Sequence, residues 1–185
     1  MIYWIGSILT VLMTLSTQLK KALGTYPDFP KKGIIFKDLM PVFATPSLFT
    51  QLIDYFCCLE PVKSAEAIVG IDARGFILAS PISYCLNKPF IPARKPGKLP
   101  GQLISKSYSL EYGSNELAIQ EQSIEHYSSF VVIDDLLATG GTAKAVVDIL
   151  KSKDKTVEGV CVVIELLALG GSRSITCPTH SLLSC

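Results

Sequence analysis

The stretch Phe130-Val-Val-Ile-Asp-Asp-Leu-Leu-Ala-Thr-Gly-Gly-Thr-Ala143 says more about the fold of this 185-residue chain than any other. Its apolar start, Phe130 to Ile133, predicts a buried strand that ends on two adjacent carboxylates. A short loop follows, and Thr139-Gly-Gly-Thr142 opens a helical run from Ala143 to Leu150. The stretch therefore predicts a strand, a turn and a helix, which is a unit of α/β folds with parallel sheets.

The turn in this unit carries residue types that suit a phosphorylated sugar. Glycine lets the backbone approach a ligand closely, and the first N–H groups of a helix attract a phosphate. Thr139 and Thr142 add hydroxyl donors, while Asp134 and Asp135 can accept hydrogen bonds from sugar hydroxyls. The alternative is an ordinary turn with surface acids. P-loop and dinucleotide fingerprints do not place two carboxylates at this point, so we favour a sugar 5′-phosphate site.

Strand and helix patterns alternate along the rest of the chain. The predicted elements are a helix from Pro46 to about Cys58 with Thr45 as its cap, a strand from Ala67 to Ile71, a helix that follows Asp72-Ala-Arg-Gly75 and runs to about Leu86 with a disturbance at Pro81, a strand from Phe90 to Arg94, a hairpin of Tyr108–Tyr112 and Glu116–Gln120 around Gly113-Ser114-Asn115, and a strand from Val157 to Leu166. This order predicts an α/β fold with a mostly parallel central sheet flanked by helices.

A second turn, Asp72-Ala-Arg-Gly75, also follows a predicted strand. Ligands of open α/β sheets bind at the carboxyl ends of strands, so Arg74 and the backbone N–H groups could hold a second phosphate group there. For Asp72 and Arg74 alone, a local ion pair is the alternative.

Charge is balanced overall, with 17 Lys and Arg against 16 Asp and Glu, so no global charge recruits nucleic acid. Locally, the stretch between Asp72 and Glu111 has no carboxylate and six cations: Arg74, Lys88, Arg94, Lys95, Lys98 and Lys106. A solvated basic face is the ordinary interpretation. The Gly and Pro residues of Pro96-Gly-Lys-Leu-Pro-Gly101 favour instead a mobile loop that carries some of these charges to an anion.

The six cysteines show no metal-binding spacing, and His126 and His180 have no partner pattern. Reduced, mostly buried thiols in a cytosolic protein are the simplest interpretation.

The N-terminal stretch Met1–Leu19 has no charged residue. A signal peptide is disfavoured because no basic region precedes the apolar run and no clear cleavage site follows it. Polar residues recur at helical spacing, at Ser7, Thr10, Thr14, Thr17 and Lys21. We therefore predict an amphipathic helix that packs on the body or on a partner subunit, and association with a membrane stays open.

Several segments resemble the adenine phosphoribosyltransferase family of the type I phosphoribosyltransferases. They are Tyr26-Pro-Asp-Phe-Pro-Lys-Lys-Gly-Ile-Ile-Phe-Lys-Asp38, Gly70-Ile-Asp-Ala-Arg-Gly-Phe76, Arg94-Lys-Pro-Gly-Lys-Leu-Pro-Gly101 and Ser107-Tyr-Ser-Leu-Glu-Tyr-Gly113, besides the stretch quoted first. Together they span most of residues 20–170 in the family's order. The chain departs from the family in its longer apolar N-terminus and in Ser172–Cys185, where the resemblance is weak.

The resemblance implies a single phosphoribosyltransferase domain over residues 1–185. Its parts would be an N-terminal apolar helix (1–24), a base-binding hood (25–40) and a mobile loop with a hairpin (95–120). The implied reaction converts adenine and 5-phosphoribosyl 1-pyrophosphate to AMP and pyrophosphate. It uses Mg²⁺ held through pyrophosphate and water rather than by direct protein ligands. A cytoplasmic homodimer that binds no nucleic acid is the implied state.

The resemblance also implies roles at the base. Main-chain groups of Ile35 and Lys37 would read the edge of adenine, and Phe36 would pack against it. Glu111 would lie beside the base and accept a proton or a hydrogen bond from it, and Tyr112 would close over the site. For residues 34–36 alone, a core strand is the alternative, and an exposed hairpin residue is the alternative for Glu111.

At the other substrate, Arg74 with the backbone of Asp72 and Ala73 would hold pyrophosphate. Arg94, Lys95 and Lys98 would meet it as well, and Glu111, Arg74 and Lys98 would be the catalytic residues. The implied ribose and 5′-phosphate site consists of Asp134, Asp135, Ala138, Thr139, Gly140, Gly141 and Thr142. Two alternatives stay open: a regulator of the same fold that senses phosphoribosyl pyrophosphate, and a transferase for another purine base.

Overall fold

The computed structural model describes residues 14–29, 31–33, 35–109 and 114–185. The chain divides into two compact units, Met1–Tyr55 and Phe56–Cys185, and each is described by itself.

The described residues of the first unit form one short antiparallel sheet and three helices. Residues 14–22 are helical (α1), with Leu15 and Leu19 buried and Thr14 and Thr17 exposed, as an amphipathic helix requires. The rest of the helix predicted over residues 1–24 falls mainly on 1–13, outside the described residues. The other elements are β1 (Gly24–Pro27), β2 (Ile35–Asp38), α2 (Met40–Phe43) and α3 (Pro46–Cys58), which crosses into the second unit.

The helix predicted from Pro46 to Cys58 is confirmed. Thr45 directly precedes the helix, and its carbonyl oxygen accepts hydrogen bonds from the N–H groups of Leu48 and Phe49. The Thr45 hydroxyl donates instead to the carbonyl of Pro41, at 2.9 Å, so it links α2 to α3.

The second unit is built on a five-stranded sheet in the order β4-β3-β7-β8-β9, and its four strand pairings are all parallel. The strands are β3 (Ala67–Ile71), β4 (Phe90–Ala93), β7 (Ser129–Leu137), β8 (Thr156–Glu165) and β9 (Thr179–Ser184). Its helices are α4 (Glu60–Ser64), α5 (Arg74–Leu86), α6 (Glu121–Ile124) and α7 (Gly141–Lys151). Two 3-10 turns, Leu167–Leu169 and Gly171–Ser174, connect β8 to β9. The predicted α/β class is confirmed.

The inner strands explain why apolar runs marked them in the sequence. All five residues of β3 are buried, and β7 carries Phe130, Val131, Val132 and Ile133 with no exposure. A parallel strand is covered on both faces, so it lacks a polar alternation. The register pairs Ala67 with Phe130 and Gly70 with Ile133, which brings the carboxyl ends of β3 and β7 side by side.

β7 is longer than predicted. The apolar run predicts a strand that ends at Ile133 with the two carboxylates after it, whereas the strand runs through Asp134 and Asp135 to Leu137. Pairing with β8 continues along this segment, because Leu136 lies opposite Ile164 and Leu137 opposite Glu165. The acidic pair, Asp134 and Asp135, therefore alternates between the two faces of the sheet rather than lying in a loop.

A two-stranded hairpin consists of β5 (Leu103–Ser109) and β6 (Ser114–Gln120). The predicted turn at residues 113–115 is wrong in detail. Ser114 pairs with Ser109 and Asn115 with Tyr108, so the connection is residues 110–113, which lie outside the described part. The hairpin joins the end of β4 through two backbone hydrogen bonds between Arg94 and Ala118, at 3.0 and 2.7 Å.

Two further features of the structure differ from what the sequence predicts. β9 was not predicted from the sequence, and it pairs with β8 from Thr179 to Ser184. The cysteines are free thiols, as expected, but they are not mostly buried: Cys161 is buried, whereas Cys58, Cys85 and Cys185 are exposed.

Within the described ranges, none of the helices has the length and apolar character needed to cross a bilayer.

Candidate active site

The turn after β3 consists of Asp72–Arg74, and we call it the pyrophosphate turn after the role that the resemblance to the family implies for it. Asp72 donates its N–H to the carbonyl of Ala93 at 2.9 Å, which ties the turn to the end of β4. The peptide bond between Asp72 and Ala73 is cis, and α5 begins at Arg74. Asp72 pairs with Arg94, whose Nε lies 2.8 Å from Asp72 Oδ2. The local Asp72–Arg74 ion pair considered as an alternative is therefore replaced by a pair between neighbouring strand ends.

Arg74 reaches across to the acidic pair instead. Its Nε lies 2.9 Å from Asp135 Oδ2, and the Asp135 side chain is almost fully buried, with 3% of the residue exposed. The Arg74 N–H is not directed at this oxygen, so Oδ2 accepts no hydrogen bond from any described residue. A buried carboxylate oxygen without a donor is an acceptor available to a ligand.

The acidic pair is electrostatically unfavourable in the absence of a ligand. Loss of water raises the pKa of Asp134 well above its usual range, and the neighbouring Asp135 carboxylate raises this pKa further. Burial also raises the pKa of Asp135, although the Arg74 guanidinium opposes that rise. The N–H of Asp135 donates to Asp134 Oδ1 at 2.9 Å. Hydroxyl donors of a sugar would stabilise the ionised form of this pair.

The phosphate loop, Ala138–Thr142, follows β7 directly and leads into α7. Gly140 has φ of +81° at the N-terminal cap of α7, and its carbonyl accepts the first helical hydrogen bond, from Lys144 N at 2.8 Å. Among the amino acids, only glycine adopts this left-handed backbone conformation readily. The first N–H groups of α7 have no carbonyl partner within the helix, which suits an anion.

One cavity of about 470 Å³ brings the two turns together. Twelve of the predicted site residues line it: Asp72, Ala73, Arg74, Lys95, Lys98, Asp134, Asp135, Ala138, Thr139, Gly140, Gly141 and Thr142. Arg94 is attached to this set through Asp72. The cavity therefore joins cations from the pyrophosphate turn and the Lys95–Lys98 loop to the acidic pair and the phosphate loop.

Sequence reasoning missed the apolar part of this cavity. Tyr108 and Leu117 line it from the hairpin, and Leu137 and Val162 line it from the sheet. Tyr108 falls in a segment that resembled the family, but nothing in the sequence gave it a role. Leu117 and Val162 carry no chemical signal that separates them from other core residues.

The remaining predicted residues lie elsewhere. Glu111 and Tyr112 fall outside the described residues. Ile35, Phe36 and Lys37 belong to the first unit, in β2, and Ile35 is 60% exposed, so the alternative of a core strand is wrong. Within that unit Phe36 packs edge-on against Phe29, with 5.2 Å between ring centroids, and Lys37 Nζ donates to Thr25 Oγ1 at 3.2 Å.

Comparison with known proteins identifies the class. The sequence model of the phosphoribosyl transferase domain matches residues 51–174, which include both turns and the cavity. An adenine phosphoribosyltransferase of Prochlorococcus marinus is 48% identical over 170 residues, which cover 92% of this chain and 99% of that one.

Solved structures agree. The crystal structure of adenine phosphoribosyltransferase from Rhodothermus marinus has 36% identity and a TM-score of 0.86 over 94% of this chain and 99% of that one. The Saccharomyces cerevisiae enzyme, complexed with D-2,5-dideoxy-2,5-imino-altritol 1,6-bisphosphate and adenine, has 34% identity and a TM-score of 0.84, covering 92% and 99%. The chain belongs to the adenine phosphoribosyltransferase family, and the resemblance seen in the sequence is confirmed.

Proposed function

We propose that this chain is the purine-salvage transferase that converts adenine and 5-phosphoribosyl 1-pyrophosphate to AMP and pyrophosphate. The observation that carries this proposal is the single cavity in which Arg74 meets Asp135. One side of this contact is cationic and the other carries carboxylates and a helix N-terminus. A phosphoribosyl pyrophosphate molecule has the matching order of groups: pyrophosphate, ribose and 5′-phosphate.

The roles of the site residues follow from charge. As pyrophosphate leaves the anomeric carbon, the ribose gains positive charge and the leaving group gains negative charge. The acidic pair lies where it can accept hydrogen bonds from ribose hydroxyls and stabilise the first charge. Arg74, Lys95 and Lys98, with Arg94 behind Asp72, can stabilise the second. The phosphate loop would bind the 5′-phosphate and hold the ribose in place.

Magnesium is the cofactor that we propose, held through pyrophosphate and water. The residues fit this role, because carboxylate oxygens accept hydrogen bonds from water bound to Mg²⁺, and Asp135 Oδ2 is buried and accepts no hydrogen bond from a described residue beside its ion pair with Arg74. The acidic pair would accept hydrogen bonds from the water molecules of the ion. When bound, Mg²⁺ neutralises part of the charge of the leaving pyrophosphate.

For the base, the resemblance to the family supports roles for residues of the hood and for Glu111 and Tyr112. Main-chain groups of Ile35 and Lys37 would read adenine, with Phe36 packed on the ring. Glu111 would accept the proton or hydrogen bond of the attacking base, and Tyr112 would close over it. Support comes from the family resemblance of residues 107–113, since Tyr108, a described residue of this segment, lines the cavity.

We further propose a cytoplasmic homodimer. Ile77 and Tyr84 lie seven residues apart on α5 and are 37% and 88% exposed, so they form one face of the helix that a second copy can cover. The three exposed thiols, Cys58, Cys85 and Cys185, suit a reducing compartment.

Product analysis tests the reaction. The purified protein is incubated with Mg²⁺, phosphoribosyl pyrophosphate and one of adenine, hypoxanthine, guanine or xanthine, and the nucleotides are separated. We expect AMP from adenine and little product from the other bases, since buried hydrogen-bonding groups reject a base that leaves them unpaired. Arg74→Gln, purified in parallel, controls for a contaminating host enzyme and should be nearly inactive. Comparable turnover of hypoxanthine would contradict the proposed selectivity, and phosphoribosyl pyrophosphate binding without any turnover would favour the regulator.

A further inference from the structure

The 3-10 turn Gly171–Ser174, called the β8–β9 turn, packs against the phosphate loop. A Cβ atom on Gly140 would overlap the carbonyl oxygen of Gly171 and would lie 2.7 Å from Ser174 Oγ. In the other direction, a Cβ atom on Gly171 would overlap the carbonyl oxygen of Ala138 and would lie 2.8 Å from Gly140 N. The two backbones are therefore in direct contact, with no space for a side chain between them.

Several contacts hold the β8–β9 turn in place. Ser174 Oγ donates to the carbonyl of Gly171 at 2.8 Å, within the turn. Ile175 belongs to the hydrophobic core, and Lys151 Nζ at the end of α7 donates to both the carbonyl and the hydroxyl of Thr176, each at 2.8 Å. On the N-terminal side, Leu166 N donates to the carbonyl of Leu137 at 2.9 Å, at the residue before the phosphate loop. The turn is thus fixed to the core, to α7 and to the end of β7.

The contact gives a physical reason for a glycine at position 140. The missing side chain of Gly140 faces the β8–β9 turn, so a larger residue there would push the two backbones apart. The phosphate loop binds through main-chain N–H groups, whose directions depend on where the backbone lies. The β8–β9 turn, which packs against the loop, therefore controls how well those N–H groups point at a phosphate.

We propose that Gly171 and Ser174 are positioning residues for the 5′-phosphate site, acting through the backbone of the phosphate loop. This inference rests on the proposed function of that loop. It assigns a role in substrate binding to a segment in which the sequence resembles the family only weakly. A displacement of about 1 Å in such a site can reduce its function about 10²-fold.

The test compares Gly171→Ala with Gly170→Asn. Both glycines lie in the same connection, but a Cβ atom on Gly170 would have only the Arg173 side chain nearby, at 3.6 Å and beyond. Asparagine tolerates the φ of +63° at Gly170, so this variant changes the turn without touching the phosphate loop. The measurements are the dissociation constant of ribose 5-phosphate by calorimetry, the KM for phosphoribosyl pyrophosphate, the KM for adenine, and Tm.

For Gly171→Ala we expect the dissociation constant and the KM for phosphoribosyl pyrophosphate to rise together by about 10²-fold, with the KM for adenine changed far less. Gly170→Asn should bind ribose 5-phosphate like the unmodified protein. A folded Gly171→Ala that binds ribose 5-phosphate normally would overturn the proposal, and so would an equal loss in both variants.

A second variant keeps the test decisive if Gly171→Ala does not fold. Ser174→Ala removes the hydroxyl that bonds to Gly171, and the loss of one such hydrogen bond should weaken ribose 5-phosphate binding about fivefold. Unchanged binding in a folded Ser174→Ala would also overturn the proposal. Because calorimetry needs no turnover, failure of this inference is separate from failure of the proposed reaction, which is read from AMP formation by the unmodified protein.

Discussion

Replacing Asp134 by Asn should make the unliganded protein more stable and the enzyme worse. The Asp134 carboxylate has lost water and lies near the charge of the adjacent Asp135 carboxylate, and both effects raise its pKa. Asparagine has nearly the same shape, and its Oδ1 can still accept the Asp135 N–H, which lies 2.9 Å from Asp134 Oδ1. The substitution therefore removes one charge and keeps the hydrogen bond, while Arg74 stays within 2.9 Å of Asp135.

The sign of the stability change follows from proton linkage. A carboxyl whose pKa is raised by folding holds its proton more tightly in the folded state than in the unfolded state. The free energy of unfolding therefore falls as the pH rises from the usual Asp pKa of about 3.9 through the raised value, so the buried acidic pair destabilises the unliganded fold above this range. Removing the charge should stabilise the fold by about 0.5–2 kcal/mol, which raises Tm by about 1–8 °C. This gain should shrink as the pH is lowered, because Asp134 then becomes neutral in the unmodified protein as well.

The cost appears in substrate use. A hydrogen bond between a ribose hydroxyl and an ionised carboxylate contributes about 1.5–3 kcal/mol, so kcat/KM for phosphoribosyl pyrophosphate should fall about 10- to 150-fold. The assays are thermal unfolding without ligands at several pH values and initial rates at saturating adenine and Mg²⁺. Asp54→Asn, an exposed carboxylate on α3, is the matched control and should change neither quantity. A loss of stability in Asp134→Asn would refute the electrostatic reasoning, and unchanged kcat/KM would remove Asp134 from the site.

Three further predictions concern other parts of the chain. Glu111→Ala should lower turnover about 10²–10⁴-fold while ribose 5-phosphate binding changes little, because we place Glu111 at the base. Lys88→Met should lower Tm by about 4–12 °C. Lys88 Nζ donates to three carbonyls at the end of α4 (Val62, Lys63 and Ala65), and the substitution removes these charged hydrogen bonds, which contribute about 2–3 kcal/mol to the free energy of unfolding. Deleting residues 1–13 should alter assembly or solubility, measured by light scattering and fractionation, and leave the choice of base intact, because no proposed site residue lies there.

Each of these has a control and a contrary outcome. Glu116→Ala, on β6 of the same hairpin, should keep normal turnover, and a near-normal chemical step in Glu111→Ala would remove Glu111 from the mechanism. Lys21→Met, at an exposed position, should leave Tm unchanged, and an equally small effect of Lys88→Met would show that its hydrogen bonds contribute little. If the full-length protein stays with membranes and only the shortened form is soluble, the cytoplasmic assignment is wrong.

Elements with a strong local signal were predicted well. β3 was predicted over its full range, and the start of α3 at Pro46 was predicted from Thr45-Pro46. Both signals are short-range: an inner parallel strand is apolar throughout, and proline suits the first turn of a helix. β9 has no comparable signal, because an edge strand is covered on fewer sides and its sequence, Thr-His-Ser-Leu-Leu-Ser, mixes polar and apolar residues.

The candidate site divides in the same way. The order of residues in Asp134–Thr142 and in Asp72–Gly75 was enough to predict a site for a phosphorylated sugar, since each motif is local and each residue type has a definite chemistry. The resemblance to the family rests on these motifs together with further segments of the chain. It did not reveal that β7 continues through the acidic pair. That extension depends on pairing with β8, which lies more than twenty residues further along the chain.

The sequence by itself determined the family, the α/β class and the chemical groups of the site. Only the tertiary structure decided which groups meet: Arg74 with Asp135, Asp72 with Arg94, and Gly171 with the backbone of the phosphate loop. The physical reason is the range of the interactions. Strand, turn and helix preferences act between residues a few positions apart, whereas Arg74 and Asp135 are brought together only because the sheet aligns the ends of β3 and β7. Contacts of this kind depend on the packed fold as a whole, and no local pattern of residues records them.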